Sequence, residues 1–182
     1  MSKIESSVEL AKVNSKFYIP VGYPLGYVIG NNEWRYMLEI IIEGKLKFIT
    51  LTSEEFRLWA HISRCEMIAP RDIEFVLTLK EKGVLLEADT LNELLKKILP
   101  LNPIRNGVGY VNEGKNCIAL GKEIIDTTGI QLFIWRVSTG ICELNTVLNE
   151  QFKLQNEPIE TFEEEFILAI IELMKHDVLS LR

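Results

Sequence analysis

Thiols and imidazoles are the side chains of this sequence with the widest chemical range, and they are few: Cys65, Cys117, Cys142, His61 and His176. A thiol becomes a nucleophile beside a base, and thiols with imidazoles hold zinc when ligand pairs stand a few residues apart. No C-x-x-C pair occurs, and an odd number of widely separated cysteines is typical of reduced intracellular thiols. The sequence therefore predicts no metal site and a cytoplasmic protein.

Motifs of catalysis are also missing. The sequence contains no G-x-S-x-G, no phosphate-binding loop, no H-E-x-x-H and no dinucleotide fingerprint. Gly22, Gly26 and Gly30 are spaced too widely to hold a phosphate and predict a loop. The run Glu163–Glu165 is typical of a solvated helix start, where the helix dipole favours carboxylates. We therefore expect a protein that is not an enzyme, with no catalytic residues and no cofactor.

Charge and hydropathy indicate which classes of binding partner to exclude. Met1–Asn14 lacks the basic start and apolar core of a secretory signal, and no apolar run approaches the ~18–20 residues of a membrane span. The net charge is -6. The segment from Glu157 to Asp177 contains seven acidic residues and one lysine, Lys175. Carboxylates oppose binding to phosphates, so we expect no membrane and no nucleic-acid partner.

An N-terminal arm is predicted over residues 1–25, where Pro and Gly interrupt the apolar residues. A first α+β unit follows over residues 26–99. Alternating polarity, turn residues and helix caps define its elements. They are a strand over Trp34–Ile42, a turn at Glu43-Gly44-Lys45, a strand over Leu46–Leu51, a helix capped by Thr52 and Glu55, a helix from Pro70, and a short strand over Val84–Leu86.

The last helix of this unit, Asp89–Leu99, carries an apolar stripe that is wide for a connector. It could pack between two units or form a homodimer, and the sequence leaves both open. Pro100 and Pro103 stop the helix, so we place the unit boundary there.

The second unit, residues 100–182, repeats this order of elements. The sequence predicts a turn at Asn112–Lys115, a strand over Cys117–Ile125, a helix near Thr128–Val137, a helix over Ile141–Phe152, a helix region from Pro158 and a short strand over Val178–Leu181. Three landmarks recur in the same order and favour a tandem repeat. They are Glu43-Gly44-Lys45 with Glu113-Gly114-Lys115, Trp59 with Trp135, and Lys82–Leu86 with His176–Ser180.

A hairpin, about three helices and a short terminal strand resemble a winged-helix domain, so the fold class is predicted as α+β with tandem winged-helix-like units. The second unit resembles the PqqD-like peptide-binding domains, also called RiPP recognition elements. The resemblance lies in Asp126-Thr127-Thr128-Gly129, Ile134-Trp135, Ser138-Thr139-Gly140, Glu143-Leu144 and Leu173–Leu179. Asp177 stands where that family has Gly, and within these 182 residues we expect no peptide-modifying enzyme domain.

The resemblance implies a non-catalytic adaptor that adds an extended peptide or protein segment to the edge of a sheet, beside a helix groove. The predicted edge residues are Ile118, Leu120, Lys122 and Ile124, and the predicted groove residues are Phe166, Ile170 and Glu172. The same apolar residues could instead be core. The alternative function is a winged-helix DNA-binding regulator that acts through the first unit, where five basic residues balance six carboxylates between Ser53 and Lys82.

Overall fold

The computed structural model describes residues 12–13, 16–30, 33–64, 68–153 and 158–182. The predictions made for residues 1–11, Cys65 and Glu157 lie outside these ranges. Over the described ranges the chain is an α+β protein with six α-helices and four small sheets, and the strand pairs of three of these sheets are antiparallel. It forms two compact units: one runs up to Leu94 and also includes Leu181–Arg182, and the other is Leu95–Ser180.

The first unit is built around a three-stranded meander. Its elements are β1 (Lys12–Val13), β2 (Lys16–Pro20), β3 (Tyr23–Gly30), β4 (Glu33–Ile42), β5 (Lys45–Leu51), α1 (Ser53–Ser63), a short 3-10 turn (Pro70–Asp72), α2 (Ile73–Glu81) and β6 (Leu85–Ala88). The meander has the strand order β3-β4-β5, and a separate sheet has the order β1-β2-β6.

Alternation along β4 decides which face of the meander meets the core. Leu38 and Ile40 are fully buried, and α1 and α2 cover them with Leu58, Ile62 and Leu79. Since successive strand residues point to opposite faces, the odd-numbered residues of β4 lie on the other face. The predicted strand, turn and capped helix are therefore present in this unit.

The prediction of an arm over residues 1–25 is wrong for its described part. β2 pairs with β6, with Phe17 opposite Ala88 and Pro20 opposite Leu85, and β3 pairs with β4. Phe17, Tyr18 and Ile19 are buried, so this segment is a core strand. The Pro and Gly residues that indicated a loop occupy the strand end and a bulge in β3, where both are tolerated.

α3 (Leu91–Ile98) crosses from one unit to the other, so the division falls a few residues before the predicted boundary. Its four apolar residues Leu91, Leu94, Leu95 and Ile98 are all buried. The stripe therefore offers no exposed face to a second copy of the chain.

The second unit also contains a three-stranded meander. Its elements are β7 (Pro103–Arg105), β8 (Val108–Asn112), β9 (Lys115–Leu120), β10 (Glu123–Asp126), α4 (Gly129–Val137), α5 (Leu144–Phe152), α6 (Ile159–Lys175) and the first two residues of β11 (Leu179–Leu181). The meander order is β8-β9-β10, and β7 pairs with β11. α6 is buried on most of its circumference, which makes it the centre of this unit's core.

The same hydrogen bonds occur at the base of both meanders. The backbone N–H of Val21 donates to Val84 O at 2.9 Å, and that of Asn106 donates to Val178 O at 2.9 Å. The carbonyls of Val21 and Asn106 then accept from the indole N–H of Trp59 at 3.2 Å and of Trp135 at 2.7 Å. The sequence match between Trp59 and Trp135 thus corresponds to the same indole-to-carbonyl hydrogen bond in each unit.

The third landmark pair also has a shared geometry. Gly83 has φ 73° and Asp177 has φ 56°, and each follows a helix end. The next residue donates its backbone N–H to a helix carbonyl in both units, Val84 to Leu79 and Val178 to Leu173, both at 3.1 Å. Asp177 therefore occupies a left-handed position that glycine fills in the first unit.

The two Glu-Gly-Lys turns are alike in conformation and differ in position. Glu43 and Glu113 have φ 53° and 48°, and the following glycines have φ 70° and 80°, which suits two-residue hairpin turns. The first turn joins β4 to β5, whereas the second joins β8 to β9. The first Glu-Gly-Lys turn is therefore the second turn of its meander, whereas the other is the first turn of its meander, so the two turns are not in equivalent positions.

Candidate functional site

Two of the predicted edge residues do not lie at an edge. Ile118 and Leu120 belong to β9, which is the central strand of its meander and pairs with β8 on one side and β10 on the other. Ile118 is fully buried. Because both sides of β9 already carry ladder partners, its backbone cannot accept an added strand, and the prediction for these residues is corrected.

The predicted groove residues do not line an open groove in the described part of the chain. Phe166 and Ile170 are fully buried on α6, as core residues of the second unit. Glu172 is half-buried, and its carboxylate lies 3.1 Å from Nε2 of His176 one turn later. The helical spacing predicted an apolar face correctly, and this face packs inside the unit.

Lys122 and Ile124 are the predicted residues that remain accessible. Lys122 is exposed in the turn between β9 and β10, and Ile124 on β10 is 60% exposed. β10 is the outer strand of the order β10-β9-β8, and its other side pairs with no strand of the described chain. Candidate edge residues are therefore those of β10.

The register shows which backbone groups of β10 face outward. Leu120 and Glu123 close a two-residue turn, and Thr127 donates its N–H to Asn116 O at 2.8 Å. In an antiparallel ladder hydrogen-bonded pairs alternate with pairs whose N–H and C=O point away. The N–H and C=O groups of Ile124 and Asp126 therefore point away from β9.

An apolar row leads across the sheet to this edge. Val108, Ala119 and Ile124 stand opposite one another on the three strands, and both end residues are exposed. Cross-strand neighbours of this kind lie ~5 Å apart and act together as one contact surface. An added strand would extend the row by one residue.

Cys117 is the one described thiol beside a charged group, and its surroundings oppose reactivity. It is buried, and its Sγ lies 3.4 Å from Oδ1 of Asp126. Burial, followed by the Asp126 carboxylate, raises the pKa of the Cys117 thiol. Since the thiolate is the nucleophile, Cys117 is a structural residue. Cys142 is exposed.

The contacts of Glu87 shift its carboxyl pKa strongly. Its oxygens accept from Nζ of Lys80 at 2.7 Å, Nζ of Lys16 at 2.9 Å and the hydroxyl of Tyr18 at 3.0 Å. These donors lower the pKa of Glu87 to about 2. Burial and the Glu87 contact raise the pKa of Tyr18 to about 12. The cluster joins β2, α2 and β6, so we assign it to stability.

Exposed apolar residues of the first unit form a surface that the sequence analysis missed. Leu46 and Phe48 on β5 are 50% and 56% exposed, and they lie on the face of the meander opposite the core. The alternation Lys45-Leu46-Lys47-Phe48 was the available signal. It was interpreted only as a strand, because alternation does not show which face is covered.

Within the described ranges, no cluster of His, Cys, Asp and Glu could hold a metal ion. No helix in those ranges combines the length and apolarity that a membrane span requires. A scan against protein-family models found no match, and searches of the curated proteins and of the solved structures found none either.

Proposed function

We propose that this chain is a non-catalytic peptide- or protein-binding adaptor, which adds an extended segment of its partner to the outer side of β10. The single observation that carries the proposal is the open edge at Ile124, where outward-pointing backbone groups adjoin an exposed apolar side chain. An edge of this kind offers backbone hydrogen bonds for affinity and alternate side chains for selection.

The chemistry of β10 also limits the partner. Ile124 and Asp126 share the outer face of the sheet, and Glu123 is exposed at the start of the strand. We therefore expect a segment that places an apolar side chain beside Ile124 and a basic side chain beside Asp126. The resemblance of this unit to PqqD-like domains supports the same mode of binding.

The test is a titration of the full-length 15N-labelled chain with a peptide of about six residues that alternates lysine and valine. We expect amide shifts centred on Ile124 and Asp126. The variant Ile124→Pro should abolish them, because proline removes an outward N–H and leaves the ladder to β9 intact.

A proline on the edge of the other meander, Leu46→Pro, is the matched control and should leave this binding unchanged. Amide shifts that avoid β10, or binding that persists in a folded Ile124→Pro variant, would refute the proposal.

A further inference from the structure

β5 of the first unit is a second open edge, with a different backbone and side-chain pattern. It is the outer strand of the order β3-β4-β5 and pairs on its other side with no strand among the described residues. Ile42 and Lys45 close the two-residue turn, so the ladder alternation directs the backbone groups of Leu46, Phe48 and Thr50 outward.

The end of this edge is already occupied, which fixes its length. The carbonyl of Thr50 accepts a hydrogen bond from Nζ of Lys82 at 3.2 Å. The same ammonium contacts the carboxylate of Glu55 at 2.6 Å. The accessible part of the edge is therefore the stretch Lys45–Phe48, with two outward-pointing residues.

The side chains of that stretch separate by chemistry. Leu46 and Phe48 project from one face of the sheet and are half exposed, beside Ile41 of the neighbouring strand. Lys45 and Lys47 project from the other face, are exposed, and make no ion pair with any residue in the described part of the chain. One edge thus presents an apolar face and a cationic face.

From this arrangement we propose that β5 is a second docking edge, and that its occupant is an extended segment of a partner protein in which acidic and apolar residues alternate. Acidic side chains would stand beside Lys45 and Lys47, and apolar side chains beside Leu46 and Phe48. This site shares no residue with the β10 site, and the proposal for β5 does not depend on the proposal for β10.

The charges argue against a second copy of this chain as the occupant. A two-fold axis normal to the sheet would join two β5 strands and bring both lysine pairs onto one face, where like charges repel. β10 of another copy does not fit either, because Glu123 and Asp126 lie on opposite faces of that strand.

The chain's own N-terminal sequence has the required alternation and must be distinguished from a partner. Glu5 and Glu9 alternate there with Ile4, Val8 and Leu10. The full-length variant Glu5→Lys/Glu9→Lys removes the acidic half of this pattern. If the peptide described below bound only to that variant, the occupant would be this segment, and the proposal of a separate partner would be overturned.

The direct test is a titration of the full-length 15N-labelled chain with a peptide of about six residues that alternates glutamate and valine. We expect amide shifts centred on Leu46 and Phe48, and affinity that falls as salt rises from about 0.05 M to about 0.5 M. The same peptide with lysine in place of glutamate should leave these amides unshifted.

Three variants locate the site. Leu46→Pro should abolish the shifts, because it removes an outward N–H and spares the ladder to β4. Lys45→Glu/Lys47→Glu should weaken binding about tenfold. Ile124→Pro should have no effect, so failure here is distinguishable from failure of the β10 proposal. Absence of binding, or equal binding by folded Leu46→Pro, would overturn the inference.

Discussion

Glu87 shows how one carboxylate can join three elements of the first unit. It accepts from two ammonium groups and a phenol, and its side chain is 21% exposed. The two cations favour the ionised form strongly enough to outweigh the cost of partial burial, which is why its pKa falls. Its stabilising effect must therefore depend on pH.

We predict that this effect is lost in acid. A carboxyl with a pKa of 4.5 unfolded and about 2 folded binds fewer protons when folded, so it stabilises above pH 4.5 and loses this effect as the pH falls towards 2. Allowing for solvent screening, the change is about 2 kcal/mol. Urea unfolding across this window should show a flatter pH dependence for Glu87→Gln.

The exposed Glu81→Gln variant is the control for this measurement and should follow the unmodified chain. An equal loss of stability in acid for Glu87→Gln and the unmodified chain would contradict the role assigned to Glu87.

Sequence patterns predicted on which face of a helix or strand a residue lies, but they did not predict what that face contacts. Helical spacing placed Phe166 and Ile170 on one side of α6, yet a groove and a core have the same periodicity. Ile118 was assigned to a strand, but its strand is central because a second hairpin turn, at Gly121 and Lys122, adds β10 on its other side. Alternating polarity alone does not show where one strand ends and the next begins.

At the scale of elements, capping boxes begin both α1 and α4, and the two boxes differ in the further contacts that their residues make. Thr52 and Glu55 satisfy each other's backbone N–H groups at the start of α1, as Thr128 and Gln131 do for α4. Glu55 is buried and also accepts from Nζ of Lys82 at 2.6 and 2.7 Å. The first box thus combines a helix cap with an ion pair.

We predict a larger cost for the residue with both roles. Gln131→Ala should lower the free energy of unfolding by about 1 kcal/mol, the usual value of a lost cap interaction. Glu55→Ala should cost about 3 kcal/mol, because it also leaves the ammonium of Lys82 without its carboxylate. Urea midpoints at constant slope give both values.

Glu55→Gln, which retains a capping oxygen and removes the charge, should fall between the two. Equal costs for Glu55→Ala and Gln131→Ala would show that the ion pair contributes nothing.

Elements with local signals were predictable, and elements without them were not. The Thr52–Glu55 capping box and the two Glu-Gly-Lys turns were predicted because their residues lie within four positions of each other. The Thr128–Gln131 box has the same spacing and was not recognised, because Gln stands there in place of Glu. β2 was missed because its partner β6 is remote in sequence and Pro20 ends it. β10 was not separated from β9 for a different reason: Gly121 was interpreted as a residue inside one continuous strand, whereas Gly121 and Lys122 form a two-residue turn.

At the scale of the whole molecule, charge distribution bears on the alternative of DNA binding by the first unit. Many cations of this unit are already engaged: Lys80 and Lys16 with Glu87, Lys82 with Glu55, and Arg57 with Asp72. Phosphates would have to displace these carboxylates, in a chain of net charge -6.

We therefore predict that generic duplex DNA binds more weakly than about 10⁻⁴ M at about 0.15 M salt. Fluorescence anisotropy of a labelled duplex checks this. The Lys45→Glu/Lys47→Glu variant is the control for the two lysines that form no ion pair with a described residue. A tighter interaction that weakens steeply with salt would restore DNA binding as a function of the first unit.

The paired indoles give each unit its own optical reporter. Trp59 and Trp135 are buried and donate to equivalent carbonyls, whereas Trp34 is 53% exposed on β4. A soluble quencher such as acrylamide should therefore reach the emission of Trp34 first. In a Trp34→Phe background one tryptophan remains in each unit. Replacing Trp59 or Trp135 with Phe then makes the fluorescence report the melting of the unit that keeps its tryptophan.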